Sequence, residues 1–158
     1  MSTRNNLIAN IERLIVYWND QEIAVDKLSP YEIEAFEKWR RIRLPNDFKE
    51  YYQRANGMKS YYPNDTDAEG FLFYPLENFI SFEDEFMVKP ENAGLNRTYI
   101  FAEYMHKSWW YGVKLNDMND TYEIGIIPDK ERFKSITTSL VVFIDLYLQD
   151  DARLYQYE

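Results

Sequence analysis

The chain contains no cysteine, so disulfides, thiolate metal sites and a cysteine nucleophile are all excluded. It has one histidine, His106, so neither a two-histidine metal site nor an H-E-x-x-H zinc motif can be built. Its five glycines are scattered singly, and no Gly-rich loop of the kind that cradles phosphates is present. The longest uncharged, apolar-rich stretch, Ser135 to Ile144, falls far short of the ~20 residues that span a bilayer. The N-terminal residues carry no long apolar segment and no cleavage site, so a secretory signal is not expected and a cytoplasmic location is.

What is abundant is aromatic side chains and acid. Aromatics make up 18% of 158 residues, led by fourteen tyrosines. Tyr and Trp combine large apolar area with one polar handle, which suits cores and binding surfaces alike. The net charge of -9 is unevenly spread. Residues 1–60 hold ten Lys/Arg against nine Asp/Glu, whereas residues 61–158 hold eight against eighteen. Such a chain repels a phosphate backbone and attracts a basic protein surface. The same acidity also serves solubility.

The hydrophobic periodicity predicts one α+β domain over 1–158. Leu7, Ile8, Ile11, Leu14, Ile15 and Trp18 share one face of a first helix, over about 6–18, that Asn5 or Asn6 can cap. Ser29, Pro30 and Glu32 form a capping box opening a second helix. The basic run Arg40, Arg41, Arg43 lies at its C-terminus, where cations favour the helix dipole. Pro45 ends that segment, Asn46 or Asp47 is the expected cap of a third helix, and Gly57 its expected positive-φ terminator. Phe71–Tyr74 reads as a short strand, and 76–86 as a short helix or turn. Thr98–Met105, Ser108–Leu115 and Thr121–Ile127 read as an antiparallel meander turning at His106-Lys107 and 116–120. A closing helix runs from Ser139 to Gln149, and Val141 and Val142 widen its apolar surface. The expected architecture is therefore a mostly antiparallel sheet flanked by N-terminal helices and one C-terminal helix.

The order of motifs resembles a known group. Leu44-Pro45-Asn46-Asp47-Phe48-Lys49, followed by Asn56-Gly57, is similar to the "LP-x-D-[FY]-K…NG" signature of the SUKH superfamily, the Smi/Knr-like proteins. Phe73-Tyr74-Pro75-Leu76-Glu77 resembles its "PLE" strand end, and Tyr99-Ile100-Phe101-Ala102-Glu103 its "F-A" strand. The similarity covers about residues 30–150. The resemblance implies an α+β fold and a protein that works by binding; many bacterial members are immunity proteins that neutralise toxins. The alternatives are a housekeeping Smi/Knr-like scaffold or regulator and, from another class, a small hydrolase using scattered carboxylates. The closing helix is more apolar than the family pattern, which makes it a candidate homodimer face.

No catalytic residue, cofactor site or metal site is expected. Asp65-Thr66-Asp67-Ala68-Glu69-Gly70 looks like the opening of a calcium loop, but the twelfth position is Leu76 rather than a bidentate Glu. His106 reads as a solvated turn histidine. The expected partner is a protein, such as a basic toxin domain, with neither nucleic acid nor membrane contacted. The candidate contact residues are the aromatics Tyr61, Tyr62, Trp109 and Trp110 and the carboxylates Asp65, Asp67, Glu69, Asp117 and Asp120, read as surface groups except that one of Trp109 and Trp110 is expected in the core, since neighbours on a strand face opposite sides. On that reading, reversing the charge of Asp65, Asp67 and Glu69 together leaves folding nearly intact.

Overall fold

The computed structural model describes residues 3–59, 66–88, 95–116 and 120–157. Helix α1, Thr3–Asp20, turns Leu7, Ile11, Leu14 and Trp18 fully inward, as their spacing requires. Helix α2, Pro30–Arg40, opens on the expected box: the Ser29 hydroxyl accepts from Glu32 N and the Glu32 carboxylate accepts from Ser29 N. Helix α3, Asn46–Arg54, buries Phe48, Tyr51 and Tyr52.

The remaining described elements are β1 (Phe71–Phe73), a 3-10 turn at Leu76–Asn78, β2 (Ile80–Ser81), α4 (Phe82–Phe86), β3 (Thr98–Tyr104), β4 (Trp109–Leu115), β5 (Tyr122–Asp129), β6 (Arg132–Thr137), α5 (Leu140–Leu148) and a 3-10 turn at Ala152–Tyr155. Every strand pairing is antiparallel, in the order β1-β3-β4-β5-β6, and β2 pairs with the other end of the β3 edge that β1 occupies. The meander is β3-β4-β5, and β6 extends it. The segment forming β6 carries no clean apolar alternation and is largely exposed, so the sequence pattern did not mark it as a strand.

Alternation on β4 and β5 sends Tyr111, Val113, Leu115, Tyr122, Ile124 and Ile126 into the main core under α1, α3 and α5. The opposite face builds a smaller core in which Ile100 and Ile127 meet Tyr74 and Phe82. A register shift between Ile100 and Ala102 lets β3 feed both cores, because adjacent Phe101 and Ala102 turn to the main one.

Asp47 does not cap α3. Pro45 occupies the cap position without a side-chain bond, and Asn46 N donates to Asp120 of the β4–β5 connection at 3.0 Å. The Tyr122 hydroxyl donates to the Asp47 carboxylate and accepts from Leu140 N at 2.7 Å. One phenol thus ties α3, β5 and the start of α5. Tyr122→Phe is expected to cost about 2 kcal/mol, since a buried N–H loses its partner. Urea denaturation reads this, and an unchanged midpoint would mean the relay contributes nothing.

Gly57 has the expected positive φ, +64°, but lies beyond the helix cap Ala55. A Cβ there would sit 2.4 Å from the Tyr74 carbonyl oxygen, so the glycine permits close approach of the β1 end rather than terminating α3. Its neighbour Asn56 accepts from Leu76 N at 2.7 Å. The Asn-Gly and Pro-Leu-Glu motifs are therefore two halves of one junction.

Most of the apolar surface of α5 is covered within the chain. Leu140, Phe143, Ile144, Leu146 and Tyr147 are all buried, and α1 packs along the helix. Asn10 of α1 donates to the Val141 carbonyl at 3.0 Å. Val142, by contrast, is 41% exposed, so the outer side of the helix stays open.

Candidate partner-binding surface

Asp67 is not a surface carboxylate. It is only 5% exposed. One carboxylate oxygen accepts from Glu69 N and Phe71 N, each at 2.9 Å, and the other accepts from the Tyr147 hydroxyl. Tyr147 in turn accepts from the Trp18 indole N–H at 2.9 Å. This chain joins α1, α5 and the turn before β1, with both Asp67 oxygens spent on it. Burial raises the Asp67 carboxyl above its ordinary value, opposed by hydrogen bonds from Tyr147 and the backbone. Burial, and then the charge of Asp67, push the Tyr147 phenol far up, so it stays a donor. Reversing the charge at Asp67 would therefore break the fold, contrary to the sequence expectation.

The other candidate residues divide by position. Tyr61, Tyr62, Asp65 and Asp117 lie outside the described residues. Asp120 is exposed but serves Asn46 N. Trp109 and Trp110 are both half-buried, on opposite faces of β4. Trp110 meets the Phe86 ring edge at 4.7 Å in the smaller core, whereas Trp109 borders the main one. Glu69 is exposed, next to Gly70, whose carbonyl accepts from Met105 N at 2.8 Å.

Glu69 and Trp109 therefore share one end of the molecule, together with residues that the sequence did not single out. Tyr104 stacks on Trp109 at 4.5 Å and 22°. Tyr157 meets Trp109 at 5.2 Å, and Tyr155 meets Tyr104 edge-on at 5.5 Å. The Trp109 indole donates to Tyr111 Oη at 2.9 Å, and Tyr111 donates to the Leu154 carbonyl, which pins the tail to the sheet. The Tyr155 hydroxyl donates to Asp150. Desolvation and then the nearby Glu69 and Asp150 carboxylates raise the Tyr104 phenol. Glu69 and Asp150 thus place negative charge beside the aromatic cluster. Met105, exposed, heads the adjoining turn, where Met105, His106 and Lys107 all take positive φ. Three consecutive left-handed residues without glycine are costly and mark a turn held for its shape. The alternating aromatics Tyr155 and Tyr157 were the one available signal for the tail.

Among the described residues no group of three or more His, Asp and Glu is arranged to hold a metal ion. His106 is exposed in its turn. No described helix is long and apolar enough to cross a membrane. The fold is an α+β scaffold with an antiparallel sheet, and its half-buried aromatics are rimmed by carboxylates, as at interaction surfaces. The profile of the SMI1 / KNR4 family (SUKH-1) matches residues 27–146, and the chain belongs to that family. No curated protein matches the sequence. Asp47, Asn56, Gly57 and Leu76, which carry the motif resemblance, all serve the scaffold. Asp150, Tyr155 and Tyr157 lie outside the matched stretch.

Proposed function

We propose that this chain is an immunity-type protein that neutralises a toxin by binding it directly, without catalysis of its own. The observation that carries the reading is the acidic aromatic end: Tyr104, Trp109, Tyr155 and Tyr157 beside Glu69 and Asp150. Rigid aromatic rings supply desolvated anchors at low entropic cost, and exposed carboxylates steer a basic partner. Family membership supports a binding role. The net acidity of residues 61–158 favours a basic toxin domain over nucleic acid. The site of action is the cytoplasm.

Family membership equally accommodates a regulatory Smi/Knr-like scaffold. The two readings differ in what is bound. Co-expression with a toxin domain encoded beside this chain is expected to restore growth and to yield a stable complex on size exclusion. Growth arrest despite full expression of the folded protein, with no complex, would favour the scaffold. A small hydrolase would instead need two converging carboxyl groups of shifted pKa in one cleft. Among the described residues the shifted carboxyls are Asp67, Asp129 and Asp151, and the last two are half-buried partners of Arg132 and Arg153.

A further inference from the structure

Helix α2 exposes more aromatic surface than the fold requires. Ile33 and Phe36 face inward. Tyr31, Ala35 and Trp39, at i, i+4 and i+8, form an outward stripe. Trp39 is 68% exposed and Tyr31 81%. Yet the Trp39 ring is not loose. The Arg40 guanidinium lies 5.2 Å from its centroid, and the Phe36 ring meets it edge-on at 6.0 Å. Arg40 is itself anchored on the Phe79 carbonyl at 3.3 Å. An exposed but preorientated Trp is the side chain most often found as a binding anchor.

Beside it lies a cleft of about 630 Å³ with Leu28, Phe36, Trp39 and Leu76 among its walls. That volume suits a few side chains of a ligand. The walls are set by the scaffold: Leu28 N donates to the Tyr52 carbonyl at 3.1 Å, Asn56 N to the Asp26 carbonyl at 2.8 Å, and Leu76 N to the Asn56 side chain at 2.7 Å. The charged lining is three carboxylates, Asp26, Glu32 and Glu77, against one cation, Lys27. The other flank of α2 faces a second concavity of mixed charge, where Lys38, Arg41, Arg43, Lys49 and Arg97 outnumber Glu34, Glu37 and Asp120.

We infer that the acidic cleft is a docking site for a linear segment of a partner protein in which an apolar side chain is flanked by Lys or Arg. The apolar residue packs on Trp39 and Phe36, and the cations meet Asp26, Glu32 and Glu77. The cleft shares no residue with the Trp109 end, so the inference does not rest on the toxin reading.

The test uses random heptapeptides displayed on phage, selected on the full-length chain and counter-screened on Trp39→Ala. Enrichment of sequences pairing Lys or Arg with an apolar residue is expected. A synthetic copy of one should lose about ten-fold in affinity on Trp39→Ala, the loss expected of a buried anchor. It should lose a smaller, salt-dependent factor on Glu77→Gln and keep its affinity on Met105→Ser. Because Trp39 is exposed, the melting temperature of Trp39→Ala should stay near that of the parent, which separates lost binding from lost folding. No enrichment, acidic consensus sequences, or equal binding to Trp39→Ala would overturn the inference. None of these outcomes bears on toxin binding at the other end.

Discussion

Replacing Asp67 by Ala is expected to lower stability by about 3 kcal/mol, the largest effect of any single carboxylate in the acidic loop. The Tyr147 hydroxyl and Phe71 N both lose the acceptor that Asp67 supplies, and both groups are buried. In a domain of this size that corresponds to a fall in Tm of roughly 10 °C. Glu69→Ala, two residues away and exposed, should stay within about 0.5 kcal/mol. Two equal melts would mean that the Trp18–Tyr147–Asp67 chain is not structural. Asp67 also sets a pH dependence. Its folded-state pKa is raised, so the folded protein binds the proton more tightly than the unfolded chain does. Its contribution is fully present below the ordinary carboxylate value and is lost as pH rises through the raised one. The stability of the parent relative to Asp67→Asn, followed by urea titration at each pH, should therefore decline over that interval. A rise with pH would reverse the assignment.

Gly57→Ala should cost about 3 kcal/mol as well, through a different cause. The residue has φ +64°, and the added methyl would meet the Tyr74 carbonyl oxygen at 2.4 Å and the Phe73 carbonyl oxygen at 2.7 Å. Left-handed backbone and overpacking against main chain add, because neither carbonyl can swing aside without breaking β1 from its neighbours. Met58 N donates to that same Phe73 carbonyl at 2.8 Å. Asn56→Ala should cost about 1 kcal/mol, the loss of one acceptor for Leu76 N. A denaturation midpoint for Gly57→Ala equal to that of Asn56→Ala would contradict the close-approach account.

The helices and the meander were legible because their signals are local. Ser29, Pro30 and Glu32 specify a helix start whatever surrounds them, and alternation from Tyr111 to Leu115 specifies a two-faced strand. Asp47 and Asp67 were misread for the converse reason. Asp47 stands where a helix cap is expected and Asp67 in a polar, turn-like stretch where an acid is ordinarily solvated, and their partners Tyr122 and Tyr147 are distant in sequence. Nothing local distinguishes an acceptor for a distant phenol from a cap or a surface charge. Glu69 and Trp109 were named only as separate candidate contacts, and Tyr104, Asp150, Tyr155 and Tyr157 join them through tertiary packing that no local pattern encodes. β6 escaped because an exposed edge strand needs no apolar alternation.

Binding through the acidic aromatic end is tested most directly by association and dissociation rates against the toxin domain across a salt series. Three proteins are compared: the parent chain, Glu69→Lys and Met105→Ser. Exposed charge acts mainly on encounter, and apolar contact mainly on escape. Glu69→Lys should therefore slow association, with the difference closing as salt shortens the screening length below its ~8 Å at physiological strength. Met105→Ser should speed dissociation at every salt concentration. Rates that ignore salt and both substitutions would contradict the account and place the contact elsewhere on the chain.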